Sequence, residues 1–201
     1  MISKSRRRFG LHDIVSILLG ATVVLTVRSS LADHYHVPSG SMLPSLHEGD
    51  RIAVEKCAYS LRFPLTHVHV ARYDQPGRGD IIVLESPESG VVLVKRVVAV
   101  AGDSISVRRG HIAINGTPVP IEQRDGVLVE QLGTVPHSVR LGDGGPDFGP
   151  TAVPAEHVLV MGDNRGNSHD GRAFGFVSLD AVIGRVRGVF MREGSPTWVT
   201  P

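Results

Sequence analysis

Three segments carry side chains that could do chemistry. The first is Val37-Pro-Ser-Gly-Ser-Met-Leu-Pro-Ser-Leu46, where two serines flank a glycine between two prolines. Pro38 and Pro44 restrict the backbone, and Gly40 lets it turn tightly. A serine on such a turn suits a nucleophile, with nearby N–H groups open to an oxyanion. An ordinary loop has the same composition. The second is Val91–Ala101, in which nine of eleven residues are apolar and the exceptions are Lys95 and Arg96. Neighbours in a strand point to opposite faces, so one cation reaches solvent while the other sits among Leu93, Val97 and similar side chains. Arginine cannot give up its proton, whereas a desolvated lysine can, and a neutral amine is a general base. An edge strand with both cations in solvent is the competing reading.

The third segment is Met161-Gly-Asp-Asn-Arg-Gly-Asn-Ser-His-Asp-Gly-Arg172, a dense polar loop after an apolar run. Counted from Asp163 as a calcium loop, Arg165 falls on a ligand position, which argues against calcium. Asp170 and Arg172 can pair and stiffen the loop, and Ser168 can hydrogen-bond toward the core. An exposed Asx-rich turn is the plainer reading.

The elements that must position these residues are strands. Runs rich in β-branched residues occupy Arg51–Val54, Ile81–Leu84, Val91–Ala101, Ser104–Val107, His111–Ile114, His157–Met161 and Val182–Met191. Gly49-Asp50, Gly79-Asp80, Gly102-Asp103, Asn115-Gly116 and Gly162-Asp163 separate them as turns. The pattern predicts a mainly β domain. Asp125–Pro154, richer in Gly, Pro and polar residues, reads as a small insertion or long loop region.

Ahead of the strands, Lys4, Arg6, Arg7 and Arg8 precede the apolar stretch Ile14–Val27. Cations followed by hydrocarbon predict a cytoplasmic N-terminus. Fourteen residues make about 21 Å of helix, short of a ~30 Å hydrocarbon core, so the span must extend toward Phe9 and Leu31. The reading is a basic tip over 1–12, a transmembrane signal anchor over 13–32 and an extracytoplasmic domain over 33–201. A cleavable signal peptide, with small residues at Ser30 and Ala32, is the rival.

Composition narrows the classes. The 201 residues carry a net charge of +1, which argues against a protein built to grip nucleic acid. One cysteine, Cys57, excludes an internal disulfide and a cysteine-based zinc cluster. His67-Val-His69 lacks a third metal ligand at recognisable spacing. His67, His69 and His169 are the candidate bases of a Ser–His alternative, but none lies in the apolar strand. Only three of the 21 basic residues are lysines, so Lys4, Lys56 and Lys95 each invite a reason for not being arginine.

Taken in order, the segments resemble those of type I signal peptidases, the membrane-bound serine proteases that remove signal peptides from exported proteins. Pro38–Leu46 resembles the family's nucleophile box, and Gly49-Asp-Arg-Ile-Ala-Val-Glu-Lys56 the next. Arg78-Gly-Asp-Ile-Ile-Val83 and Val94-Lys-Arg-Val-Val98 resemble the box with the base. Gly162-Asp-Asn-Arg165 with Asn167, Ser168, Asp170 and Arg172 resembles the last. The resemblance implies Ser41 as nucleophile and Lys95 as general base. It implies an oxyanion hole from the Ser39 hydroxyl and the Ser41 N–H, and a Ser168 that orients the amine. Asp170 and Arg172 would brace the loop, with Gly162 leaving room beside it. Lysine in place of the histidine of eukaryotic-type relatives points to the bacterial or mitochondrial branch.

The implied fold is a coiled β-sheet domain with a small inserted region after a single transmembrane helix. The implied substrate is a preprotein signal peptide, bound as an added strand between Tyr35–Pro38 and Val92–Val94. Val37, Pro38 and Val94, with Tyr35, Val92 and Leu93 nearby, would line small pockets and favour alanine-like residues at the first and third positions before the cut. A monomer on the outer face of the bacterial plasma membrane, contacting the lipid bilayer and needing no cofactor or metal, completes the expectation. The chain departs from the family pattern at Ser45, at Ala99 and Ala101, and at Gly166, Gly171, Ala173 and Phe174. A specialised maturation protease with the same chemistry and a non-catalytic anchored β domain are the alternatives.

Overall fold

The β-branched runs form strands because such side chains pack well on a pleated, half-buried surface. The computed structural model describes residues 10, 12–20, 32–62 and 69–201. Its main sheet contains β1 (Ala32–His36), β2 (Arg51–Glu55), β5 (Ile81–Glu85), β6 (Val92–Val100), β14 (His157–Met161), β15 (Val177–Ser178), β16 (Val182–Arg192) and β17 (Ser195–Val199). The spatial order is β1-β2-β16-β5-β6-β14-β15, with β17 also on β16. Each pairing is antiparallel, and bulges in β16 and between β6 and β14 help the sheet curl.

Smaller sheets attach to this frame. β3 (Ser60–Arg62) pairs with β4 (His69–Arg72). β7 (Ser104–Arg108), β8 (His111–Ile114), β9 (Thr117–Pro118) and β13 (Phe148–Ala152) make a four-stranded sheet. β10 (Ile121–Arg124), β11 (Val127–Glu130) and β12 (His137–Val139) make a three-stranded one. All seven expected strand runs are strands, within a residue or so at their ends. The stretch Asp125–Pro154 carries β11, β12 and β13, and it sends Leu132 and Val153 into the core.

The long apolar β6 lies inside the main sheet. It pairs with β5 along Val92–Arg96 and with β14 along Arg96–Val100. Both of its faces are covered, with Leu93 and Val97 packing in one cluster and Val94 in another. Lys95 and Arg96 are therefore each only 3% exposed. This corrects the expectation that one of the two reaches solvent, since alternation frees a side chain only where one face of the strand is bare. Arg96 is stable there because Asp163 takes it in a two-point ion pair, 2.8 Å at each oxygen.

Residues 12–20 are helical, and Ile14, Val15, Ile17, Leu18 and Leu19 are about half exposed or more. No described helix is long and apolar enough to cross a membrane. The expected anchor over 13–32 lies largely outside the described residues, as do the basic tip residues Lys4 and Arg6–Arg8.

Beneath the loop after β14 lies a second buried ion pair. Arg165, fully buried, bonds Glu130 of β11 at 2.9 and 2.5 Å and the Gly110 carbonyl at 2.7 Å. Burial alone would raise the Glu130 carboxyl, but His137 and Arg165 outweigh it and hold it below the ordinary range. Removing one partner strands the other charge, at a cost of about 3–5 kcal/mol. Arg165→Met should lower unfolding stability in urea by that amount, and the double variant Arg165→Met/Glu130→Leu should recover most of it.

Candidate active site

The serine turn is built by local stapling. Val37 donates to the Asp50 carbonyl and accepts from Gly49, both at 2.9 Å. Ser39 is extended, and Gly40–Met42 then form a single 3-10 turn. Met42 and Leu46, both buried, pin it to the core. Asp50 secures the far side, accepting from the His47 N–H and pairing with Arg192 of β16. Ser41 thus stands on a backbone with little freedom, and Ser39 Oγ reaches its hydroxyl at 3.4 Å.

Lys95 approaches from β6. Its Nζ lies 2.7 Å from Ser41 Oγ, a contact between residues 54 apart in the chain. Burial drives the Lys95 pKa down to about 8. The Asp170 and Asp163 charges oppose that shift, and Arg172 assists it. A nucleophilic hydroxyl beside an amine able to lose its proton is the arrangement of a serine hydrolase.

The loop from Gly162 to Arg172 closes the site. Asp170 binds Arg172 through both oxygens, accepts from the Gly162 N–H at 3.0 Å and caps the four-residue helix α1 (Gly171–Phe174). Arg172 also holds the carbonyls of Gly144 and Arg165. Burial pushes the Asp170 carboxyl up, but these hydrogen bonds and the Arg172 charge bring it below the ordinary range. Ser168 Oγ is buried beside Gly162, and no Ser168–Lys95 hydrogen bond is formed. His169 faces outward to Glu88 at 2.7 Å, both side chains more than half exposed. His67 lies outside the described residues.

Residues 11–191 match the family model described as signal peptidase, peptidase S26. The chain belongs to that family. It is 33% identical to a signal peptidase I of Leptolyngbya laminosa, an alignment covering 87% of this chain and 76% of that protein. A signal peptidase I of Pseudomonas aeruginosa is 32% identical over 87% of this chain and 70% of its own length. Signal peptidase I T of Bacillus subtilis is 32% identical over 87% of this chain and 82% of its own length. This member of the family is therefore a serine peptidase, a hydrolase that processes signal peptides.

The structure brings some of the expected pocket residues together and separates others. Tyr35, Val37 and Val94 pack in one cluster, while Leu93 faces a different one with Ile82, Leu84 and Val97. Pro38 is exposed, and Val92 is 42% exposed. Asp163, Asn164 and Arg165 carry contacts that motif reading left unassigned. Asn164 bonds the serine turn, and its two neighbours hold the buried ion pairs to Arg96 and Glu130. The visible signal was their place between Gly162 and Ser168, but their partners lie too far off in the chain to be read from spacing. Lys56 pairs with Asp33 of β1 at 2.9 Å.

Gly162 has no room for a side chain. A Cβ there would lie 2.3 Å from Ser168 Oγ and 2.4 Å from the Ser41 carbonyl oxygen. Gly162→Ala must push the serine turn and the loop apart, and a displacement near 1 Å costs about 10²-fold in rate. The expected outcome is a folded protein whose kcat on a preprotein falls by about that factor, checked by steady-state kinetics beside a thermal melt.

Proposed function

We propose that the protein is a membrane-anchored endopeptidase that removes N-terminal signal peptides with a Ser41 nucleophile and a Lys95 general base. The observation that carries this reading is the 2.7 Å contact between Ser41 Oγ and a buried Lys95 amine whose pKa is pushed down to about 8. An ordinary lysine is neutral in about one molecule in 3,000 at pH 7, and one with a pKa near 8 in about one in ten. Burial therefore supplies the base. Ser41 Oγ attacks the scissile carbonyl while Lys95 takes its proton. The Ser41 N–H and the Ser39 hydroxyl stabilise the oxyanion, and the protonated amine gives its proton to the leaving amine. Water activated by Lys95 then hydrolyses the acyl-enzyme. Ser168 orients the amine, and Asp170 with Arg172 keeps the loop in place.

Two sheet edges among the described residues support substrate binding as an added strand. β1 is the terminal strand of its sheet, and β14 leaves Val92–Lys95 of β6 without a partner on that edge. A peptide laid between Tyr35–Pro38 and Val92–Val94 would use those backbone groups for affinity. The cluster of Tyr35, Val37 and Val94 would leave space only for small side chains at the first and third positions before the cut. The exposed apolar side chains of residues 12–20 support an anchor over 13–32. The protein would work as a monomer on the outer face of the bacterial plasma membrane, with the tip 1–12 in the cytoplasm and the domain 33–201 outside.

Incubation with a model preprotein, followed by sequencing of the new N-terminus, tests the reading. Ser41→Ala and Lys95→Ala should fold and not cleave. Lys95→Arg should be equally inactive, because guanidinium stays protonated. Ser39→Ala, which loses one oxyanion donor, should retain activity about 10²–10³-fold lower. Full cleavage by Ser41→Ala would overturn the assignment.

The pH profile gives an independent test. Lys95 is a base only when neutral, so kcat/KM should rise about tenfold per pH unit below its pKa and level off above it. The bend should fall at about pH 8. A profile flat from neutral to alkaline pH would rule out Lys95 as the base.

A further inference from the structure

We propose that Asn164 is a positioning residue whose carboxamide aims the oxyanion-binding N–H of Ser41. The proposal rests on the Ser41–Lys95 reading above. Two hydrogen bonds from one residue hold the serine turn. Asn164 Nδ2 donates to the Gly40 carbonyl, and the Asn164 N–H donates to the Ser41 carbonyl, each at 3.0 Å.

The geometry of the peptide bond turns these contacts into an orientation device. The Gly40 carbonyl and the Ser41 N–H belong to one planar group, and the Gly40–Ser41 bond is trans. In a trans peptide the two point in opposite directions. Holding the carbonyl on one side therefore directs the N–H to the other. The Leu43 N–H also donates to Gly40 O, at 3.1 Å, but that bond is internal to the 3-10 turn and moves with it. Asn164 ties the plane to the rest of the fold. Its own N–H does the same for the next plane, which joins the Ser41 carbonyl to the Met42 N–H.

A positioning residue must itself be fixed, and Asn164 is held on each side. Asp163 is locked to Arg96, the β6 neighbour of Lys95, and Arg165 to Glu130. Their backbones bond residue 140: the Arg140 N–H donates to the Asp163 carbonyl at 2.9 Å, and the Arg165 N–H to the Arg140 carbonyl at 2.7 Å. The Asn164 carbonyl accepts from Asn167 at 3.0 Å. The nucleophile plane and the base are thus referred to the same buried ion pair, Arg96–Asp163. That common reference keeps the oxyanion donor in register with the Ser41–Lys95 contact.

Losing an oxyanion donor costs about 10²–10³-fold, and leaving one present but free to rotate should cost about 10–100-fold. The test uses the full-length protein and a model preprotein, with Asn164→Ala and Asn164→Asp compared across the Lys95 titration. Both variants should lose kcat by about 10–100-fold with KM within about twofold, the signature of an interaction made in the transition state. Asn164→Asp keeps the size but turns a carboxylate oxygen toward the Gly40 carbonyl, so it should be at least as impaired as the alanine variant. In Asn164→Ala the alkaline bend of kcat/KM should stay at about 8, because no charge near Lys95 changes, whereas the new carboxylate of Asn164→Asp favours the protonated amine and should move the bend upward. If one variant fails to fold, the other decides the matter.

Three results would overturn the proposal. One is a kcat within about threefold of the native value. Another is full activity of Asn164→Asp beside an impaired alanine variant, which would mean that only the volume matters. The third is a shifted bend in Asn164→Ala, which would mean that the loop and its carboxylates had moved. Ser41→Ala, run alongside, separates the two layers. If it still cleaves, the Ser41–Lys95 reading fails. If it is dead while the Asn164 variants match the native enzyme, only the role of Asn164 fails.

Discussion

An amine can act as a base near neutral pH only where water is kept from it, and the fold around Lys95 meets that requirement. Strand β6 runs inside the sheet with both faces covered, so the lysine stem is packed and its nitrogen meets the Ser41 hydroxyl instead of solvent. Burial also brings the amine near two carboxylates, Asp163 and Asp170, which favour its protonated form. Each carboxylate is engaged by its own guanidinium, Asp163 by Arg96 and Asp170 by Arg172. The two ion pairs therefore brace the loop and also limit the negative field at the amine. A shift of one pKa unit corresponds to about 1.4 kcal/mol, so an uncompensated carboxylate could undo much of the desolvation.

The same pairs explain how a polar loop lies deep in a β protein. Gly162–Arg172 brings Asp163, Arg165, Asp170 and Arg172 to near-zero exposure. Unpaired, any of these charges would be costly to bury. Arg165 extends the network downward to Glu130 and His137, which come from β11 and β12. The segment richest in glycine, proline and polar residues thus supplies the floor on which the Gly162–Arg172 loop rests. Its isolated bridge from Arg140 to Asn164 joins the two physically.

The main strands were legible because each buries a β-branched run and ends at a Gly-Asp or Asn-Gly turn. β1 was harder to read. It is a short edge strand, with polar residues at three of five positions, and it carries no apolar run. β10 to β12 are only three or four residues each, too short to show a pattern, so composition alone makes them look like loop. Within the site, Ser41 and Lys95 stood out by residue type and setting. The burial of both Lys95 and Arg96 is not legible in the sequence, because the partner of Arg96, Asp163, lies 67 residues away, and strand alternation gives opposite directions but not whether both faces are covered. Leu93 and Val94 were grouped by proximity in sequence, yet they pack in separate clusters on opposite faces.

The sequence by itself determined which chemistry is available. A serine sits between prolines, a lysine, which unlike arginine can lose its proton, lies in an apolar strand, and a loop holds enough opposite charges to pair. Its ordered motifs place the chain among the signal peptidases, and the scarcity of lysine left Lys95 and Lys56 conspicuous. Only the tertiary structure decided how that chemistry is aimed. Closing a 54-residue separation to 2.7 Å, drying the amine, and clamping the Gly40 and Ser41 carbonyls from Asn164 all depend on contacts between distant segments. Local pattern specifies a strand or a turn, but relative position and desolvation are properties of the packed whole.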